Sequence, residues 1–131
     1  MERKFMKRFQ SYKKSLSSLT EARERDMNDS FVLSGTSAKF SITFDLAWKT
    51  MKDILIEHYS ITDFIAVSPR EVLKKSFQTN MITGDEWMQM LTIRNQLAHD
   101  YDGDIVKTNC DIIVNNFIDK FLEFESLVEN L

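Results

Sequence analysis

The chain has 131 residues, 43% of them hydrophobic and 28% charged, which separates it from disordered chains and supplies enough apolar mass for a core. Three glycines and one proline are too few for the turns of a β-sandwich or barrel, and one cysteine excludes an internal disulfide and, with two histidines, argues against a closed zinc site. No apolar run long enough for a membrane span is present and none follows Met1-Glu2-Arg3-Lys4-Phe5, so a cytoplasmic, helical protein without a secretory leader is expected.

The net charge of −3 conceals a gradient. Residues 1–25 hold eight basic and three acidic side chains, a balance of +5; residues 100–131 hold two lysines and eight acidic side chains, a balance of −6. Two oppositely charged helices that pair within one bundle account for this more simply than a phosphate-binding surface does.

In chain order, Phe5, Phe9, Tyr12, Leu16 and Leu19 recur on one helical face and predict a first helix over about residues 2–26. Asn28-Asp29-Ser30 and Ser34-Gly35-Thr36 read as a loop. A second helix over about 37–59 carries the stripe Phe40, Phe44, Trp48, Met51 and Leu55, which His58 extends. An aromatic stripe at this spacing is the mark of a core face rather than a cofactor box. Ser68-Pro69-Arg70-Glu71 opens a short third helix ending near Asn80, with Ser68 as N-cap, Pro69 in the first position and Glu71 closing a capping box. Thr83-Gly84-Asp85-Glu86 repeats that logic for a fourth helix reaching about Ala98, with Thr83 as cap. After Asp102-Gly103-Asp104, the last helix bears Val106, Cys110, Ile113, Phe117, Phe121, Phe124 and Val128, so Cys110 reads as a small core residue. The expected fold is all-α: an antiparallel up-and-down four-helix bundle with an additional short helix, forming a single domain over residues 1–131.

One segment stands out from this scaffold, Arg94-Asn95-Gln96-Leu97-Ala98-His99-Asp100-Tyr101. Arg94 falls on the stripe Trp87, Leu91, Arg94, Ala98, where a cation is costly unless it is paired or opens onto a cleft. On an unbroken helix His99 lies about 140° around from Arg94, so the two converge only if the helix ends near Ala98 or a second chain supplies one of them. The plain alternative pairs Arg94 with an acidic residue of another helix and sets His99 against the negative end of its own. Asp100, Asp102 and Asp104 do not form a calcium loop: glycine falls at Gly103, two positions early, and Asp111 stands where the bidentate glutamate belongs.

The arginine, four residues, His99, one residue, Tyr101 arrangement, with polar Asn95 after the arginine, resembles the signature of HEPN domains, most closely the HepT type. Three further blocks resemble the nucleotidyltransferase substrate-binding protein family in its own order: Phe44 to Lys52, Ser68 to Leu73, and Trp87 to Asn95. The resemblance implies a dimerising helical bundle and a separately encoded minimal nucleotidyltransferase as partner. In its active form it implies a metal-independent ribonuclease toxin, free of cofactors, with that nucleotidyltransferase as antitoxin. Arg94 and His99 would then be the catalytic pair, Asn95 the supporting polar residue, and Tyr101 the tyrosine modified with AMP. A non-catalytic substrate-binding subunit is the alternative; the acidic neighbours of His99 favour it, since polyanion binders are usually basic near the site. Histidine exchanges protons near neutrality and arginine grips phosphate oxygens, which suits RNA cleavage without metal. A dimer would bring two copies of each, with His58 taken up by its apolar stripe.

Overall fold

The computed structural model describes residues 4–61, 68–99 and 103–131, and all the regular structure in them is helical. Helix α1 is Lys4–Thr20, tightening into a 3₁₀ turn at Glu21–Glu24. Helices α2 (Ser30–Glu57), α3 (Pro69–Gln78) and α4 (Glu86–His99) follow. The last segment is α5 (Gly103–Ile112), a π-helical turn at Ile113–Phe117, and α6 (Ile118–Glu129), which succeed one another without a break.

Cross-helix pairs give the directions. Arg8 meets Asp53, Ser15 meets Thr43 and Lys39 meets Ser18, so α1 and α2 are antiparallel. Cys110 hydrogen-bonds the Leu33 carbonyl while Phe40 stacks on Phe117, so α2 runs parallel to α5 and α6. Lys13 pairs with Glu129 and Arg23 with Asp119, so α1 opposes α6. The same two pairs join the basic first helix to the acidic last one, the pairing expected from the charge gradient. With α4 against α2 and the π turn, this is the up-and-down bundle, and α3 is its additional short helix.

The three long apolar stripes are buried as the spacing requires: Phe5 to Leu19 on α1, Phe40 to Leu55 on α2, and Val106 to Val128 on the last segment. Their rings Tyr12, Phe40, Phe117, Phe121 and Phe124 interlock with one another and with Trp87 of α4. Cys110 is buried, and burial pushes its thiol pKa up, which keeps it a packing residue rather than a nucleophile.

Four local expectations change. Helix α2 begins at Ser30, so Ser34-Gly35-Thr36 is helix and not loop. The Asp29 carboxylate caps it by accepting from the Phe31 amide at 2.8 Å, and Thr36 is buried on its inner face. His58 does not extend the apolar stripe: the helix closes there, and the ring is exposed, edge-on to Tyr59 at 5.0 Å. Ser68 caps α3 through the Glu71 amide, but the Glu71 carboxylate turns to Lys74 at 3.5 Å. Thr83 does not cap α4; the first helical carbonyl is that of Asp85, accepting from Gln89, and Glu86 faces Lys120 at 3.7 Å. Gly84 intervenes with φ of +86°, a conformation that carries the chain away from Thr83 before the helix can start.

The C-terminus of α3 shows why it stops at Gln78. Asn80 takes φ of +61°, its amide reaches the Phe77 carbonyl, and the Met81 amide reaches that of Ser76. This is the double bond of a Schellman closure, with asparagine as the left-handed residue.

Candidate functional site

Arg94 sits in the third turn of α4, facing α2. Its Nε donates to Asp45 Oδ1 at 3.3 Å and its Nη2 to Asp45 Oδ2 at 3.1 Å, a two-pronged pair across 49 residues of sequence. The side chains keep 31% and 35% exposure, so this pair is reachable from solvent and not locked in the core. Both conditions anticipated for a cation on this face are met: it is paired, and it opens onto a cleft.

That cleft is a cavity of about 280 Å³ between α2 and α4. Helix α2 contributes Phe44, Asp45, Trp48 and Lys49, two adjacent residues on each of two successive turns. Helix α4 contributes Leu91, Arg94 and Asn95, and Pro69 at the start of α3 completes the lining. Among the described residues, two cations and one carboxylate line this space. Lys49 also stands 5.7 Å from the centre of the Trp48 ring. A second cavity of about 240 Å³, lined by Arg25, Phe31 and Lys39 among others, holds none of the anticipated site residues.

Of the anticipated residues, Arg94 and Asn95 therefore come together at one cavity. His99 is the last residue of α4, and its side chain lies outside what is described; Asp100, Tyr101 and Asp102 lie outside the described residues. Helical geometry persists to His99, so the His99 Cα leaves the axis about 140° from that of Arg94. The backbone of one chain does not place the two on one stripe. Asp45, Trp48, Lys49 and Pro69 were not anticipated as site residues. The signal of Asp45, Trp48 and Lys49 was the Phe44 to Lys52 block, where charged residues interrupt an aromatic stripe beside its buried positions, and that of Pro69 was the Ser68 to Leu73 block. Among the described residues, no three His, Cys, Asp or Glu side chains gather closely enough to hold a metal ion, and no helix is long and apolar enough to cross a membrane.

The model of the family described as "nucleotidyltransferase substrate binding protein like" matches residues 7–130. The chain belongs to that family. It is the family that the ordered sequence blocks resemble, and the match runs from within α1 through α6 and includes the residues of the Arg94 cavity. No curated protein matches the chain.

Proposed function

We propose that this family member is a HepT-like, metal-independent ribonuclease toxin, acting as a homodimer and neutralised by a cognate minimal nucleotidyltransferase that attaches AMP to Tyr101. The observation that carries the reading is Arg94: a bidentate, about one-third exposed arginine at an open cavity, on the helix that ends at His99. A ribose 2′-oxygen attacks phosphorus as its proton passes to one histidine. The P–O5′ bond breaks, and a second histidine protonates the leaving oxygen, giving a cyclic phosphate and a 5′-hydroxyl. Arg94 balances the charge that gathers on the phosphoryl oxygens. Two copies of His99 supply both proton carriers, and the angular separation of Arg94 and His99 on α4 favours such a shared site.

A non-catalytic subunit that presents substrate to a nucleotidyltransferase is the second reading, favoured by the family's description and by the carboxylate already seated on Arg94. Growth arrest on expressing the chain alone separates the two, because only the toxin causes it. His99→Ala should abolish the arrest and slow RNA cleavage by roughly 10²–10⁴. Chelator should leave wild-type cleavage unchanged. Incubation with the cognate nucleotidyltransferase, ATP and Mg²⁺ should add AMP, seen by intact mass, and Tyr101→Phe should escape both modification and inhibition. Cleavage at the wild-type rate by His99→Ala hands the protein to the second reading.

A further inference from the structure

Helix α2 is apolar on two opposite sides. Its inner stripe, Phe40 to Leu55, is buried in the core. Its outer side carries Phe31, Ile42 and Ile56, which are 87%, 56% and 40% exposed and are three of the five exposed large hydrophobic side chains among the described residues. At 100° per residue these three, with exposed Ala38 and Lys49, fall within about 20° of one line along the helix. The strip is about 37 Å long, roughly seven turns. A helix that is apolar on both sides is ordinarily covered on both. On its α1 side the strip borders a cavity of about 270 Å³, lined by Lys7, Arg8 and half-buried Leu46 among others, and on its α4 side it borders the Arg94 cavity. It is thus a ridge between two hollows, the relief against which a further helix packs.

We propose that this outer face of α2 is the docking surface for an acidic amphipathic helix of a partner protein. Charge complementarity selects that occupant. Between Ala38 and Asp53, the flanks carry Lys7, Arg8, Lys39, Lys49, Lys52 and Arg94 among the described residues. Two carboxylates stand against them, Asp45 and Asp53, and each is bonded to an arginine. Carboxylates enter otherwise only at the ends, where Glu21 lies with Arg25 beside Phe31 and Glu57 follows Ile56. An apolar ridge flanked by cations is matched by a helix with one apolar stripe and acidic residues on either side of it. A second copy fits less well. Antiparallel docking that sets Ile42 against Leu46 also sets Lys39 against Lys49, and parallel docking sets each lysine against itself. Single-stranded RNA stacks its bases on aromatic rings, whereas Ala38, Ile42 and Ile56 are aliphatic. The docking surface does not depend on RNA cleavage, and neither reading falls with the other.

The test titrates the assigned ¹⁵N-labelled chain with a synthetic helical peptide of about 25 residues, the length of the strip, bearing leucines in one stripe and glutamates on both sides of it. The amide signals of Phe31, Ala38, Ile42, Lys49 and Ile56 should move, and added salt should weaken the binding. Ile42→Glu, at an exposed position that spares the core, should weaken it about tenfold or more, since it removes a buried aliphatic contact. Lys39→Glu, outside the Arg94 cavity, should weaken it about two- to fivefold, as for one exposed ion pair. Equal binding of a peptide with lysines in place of the glutamates, or no movement along the strip, overturns the proposal. Self-association of the free chain that Ile42→Glu abolishes, seen by light scattering, overturns it in favour of a second copy. Movement of the strip signals by an uncleavable 2′-O-methyl tetraribonucleotide or by phosphatidylserine vesicles, and not by the acidic peptide, overturns it in favour of RNA or a lipid surface.

Discussion

Asp45 and Arg94 join α2 to α4 through two hydrogen bonds while each side chain stays about one-third exposed. That exposure limits what the pair contributes to stability, because solvent screens it and two side chains must be held in one geometry. A double-mutant cycle of Asp45→Ala and Arg94→Ala, read by urea denaturation, should give a coupling of about 0.2–1 kcal/mol. A coupling above about 3 kcal/mol would instead describe a buried pair, and a resident carboxylate too firmly held to yield to phosphate. The oddity of Arg94 was legible from its place on an apolar stripe, but its partner was not. Periodicity assigns faces to helices; it does not choose among acidic residues dozens of positions away. Trp48 illustrates a second limit. Its stripe position correctly implies burial, yet its Nε1 has no hydrogen-bond partner among the described residues, and a buried indole with a partner and one without have the same spacing. His58 was misplaced for a third reason: the stripe was extended past Glu57, the last residue of α2, onto the residue that closes the helix.

At the scale of elements, the long helices were legible and their ends were not. Heptad-like spacings of Phe, Leu and Ile identify buried faces over many residues, whereas an end depends on one or two side chains. Gly35 and Gly84 show the difference and carry opposite predictions. Gly35 lies inside α2, and a Cβ there would meet nothing within 4 Å. Gly35→Ala should therefore raise stability by about 0.5–1 kcal/mol, the helix-propensity difference between the two residues. An unchanged or lowered unfolding midpoint would place residues 34–36 back in the loop that the Ser-Gly-Thr composition suggests. Gly84 precedes α4 at φ of +86°, and the Glu86 carboxylate occupies the direction a Cβ would take. Gly84→Ala should lower stability by about 1–2 kcal/mol, through the backbone conformation and by pushing aside the Glu86 carboxylate that faces Lys120. The two thermal or urea midpoints, moving in opposite directions, test the start of each helix independently.

Across the whole molecule, the first and last helices are tied by charge at their surfaces and by Tyr12 in their core. The Tyr12 hydroxyl donates to the Phe121 carbonyl at 2.6 Å, spanning 109 positions of sequence, and its ring packs on Phe9, Phe121 and Phe124. Ionisation would remove that donor and place a negative charge among aromatic rings. Burial, and secondarily the charge of Glu125, accordingly raises the Tyr12 pKa well above its ordinary value of 10.0. The native state therefore keeps a proton that the unfolded chain gives up as pH passes 10.0. With fewer protons bound in the unfolded state, stability must fall as pH rises through that range, by up to about 1.4 kcal/mol per pH unit. Below it, the contribution is fully present. Tyr12→Phe keeps the ring and removes both the hydrogen bond and the titration. At pH 7 the variant should be less stable than wild type by about 0.5–1.5 kcal/mol, the value of one neutral hydrogen bond. Above pH 10 the gap should narrow and then reverse near about pH 11, since only the wild type carries the buried hydroxyl. Urea midpoints of the two proteins from pH 7 to 11 measure the difference directly, and a gap that stays constant across that range would remove Tyr12 as the buried donor between α1 and α6.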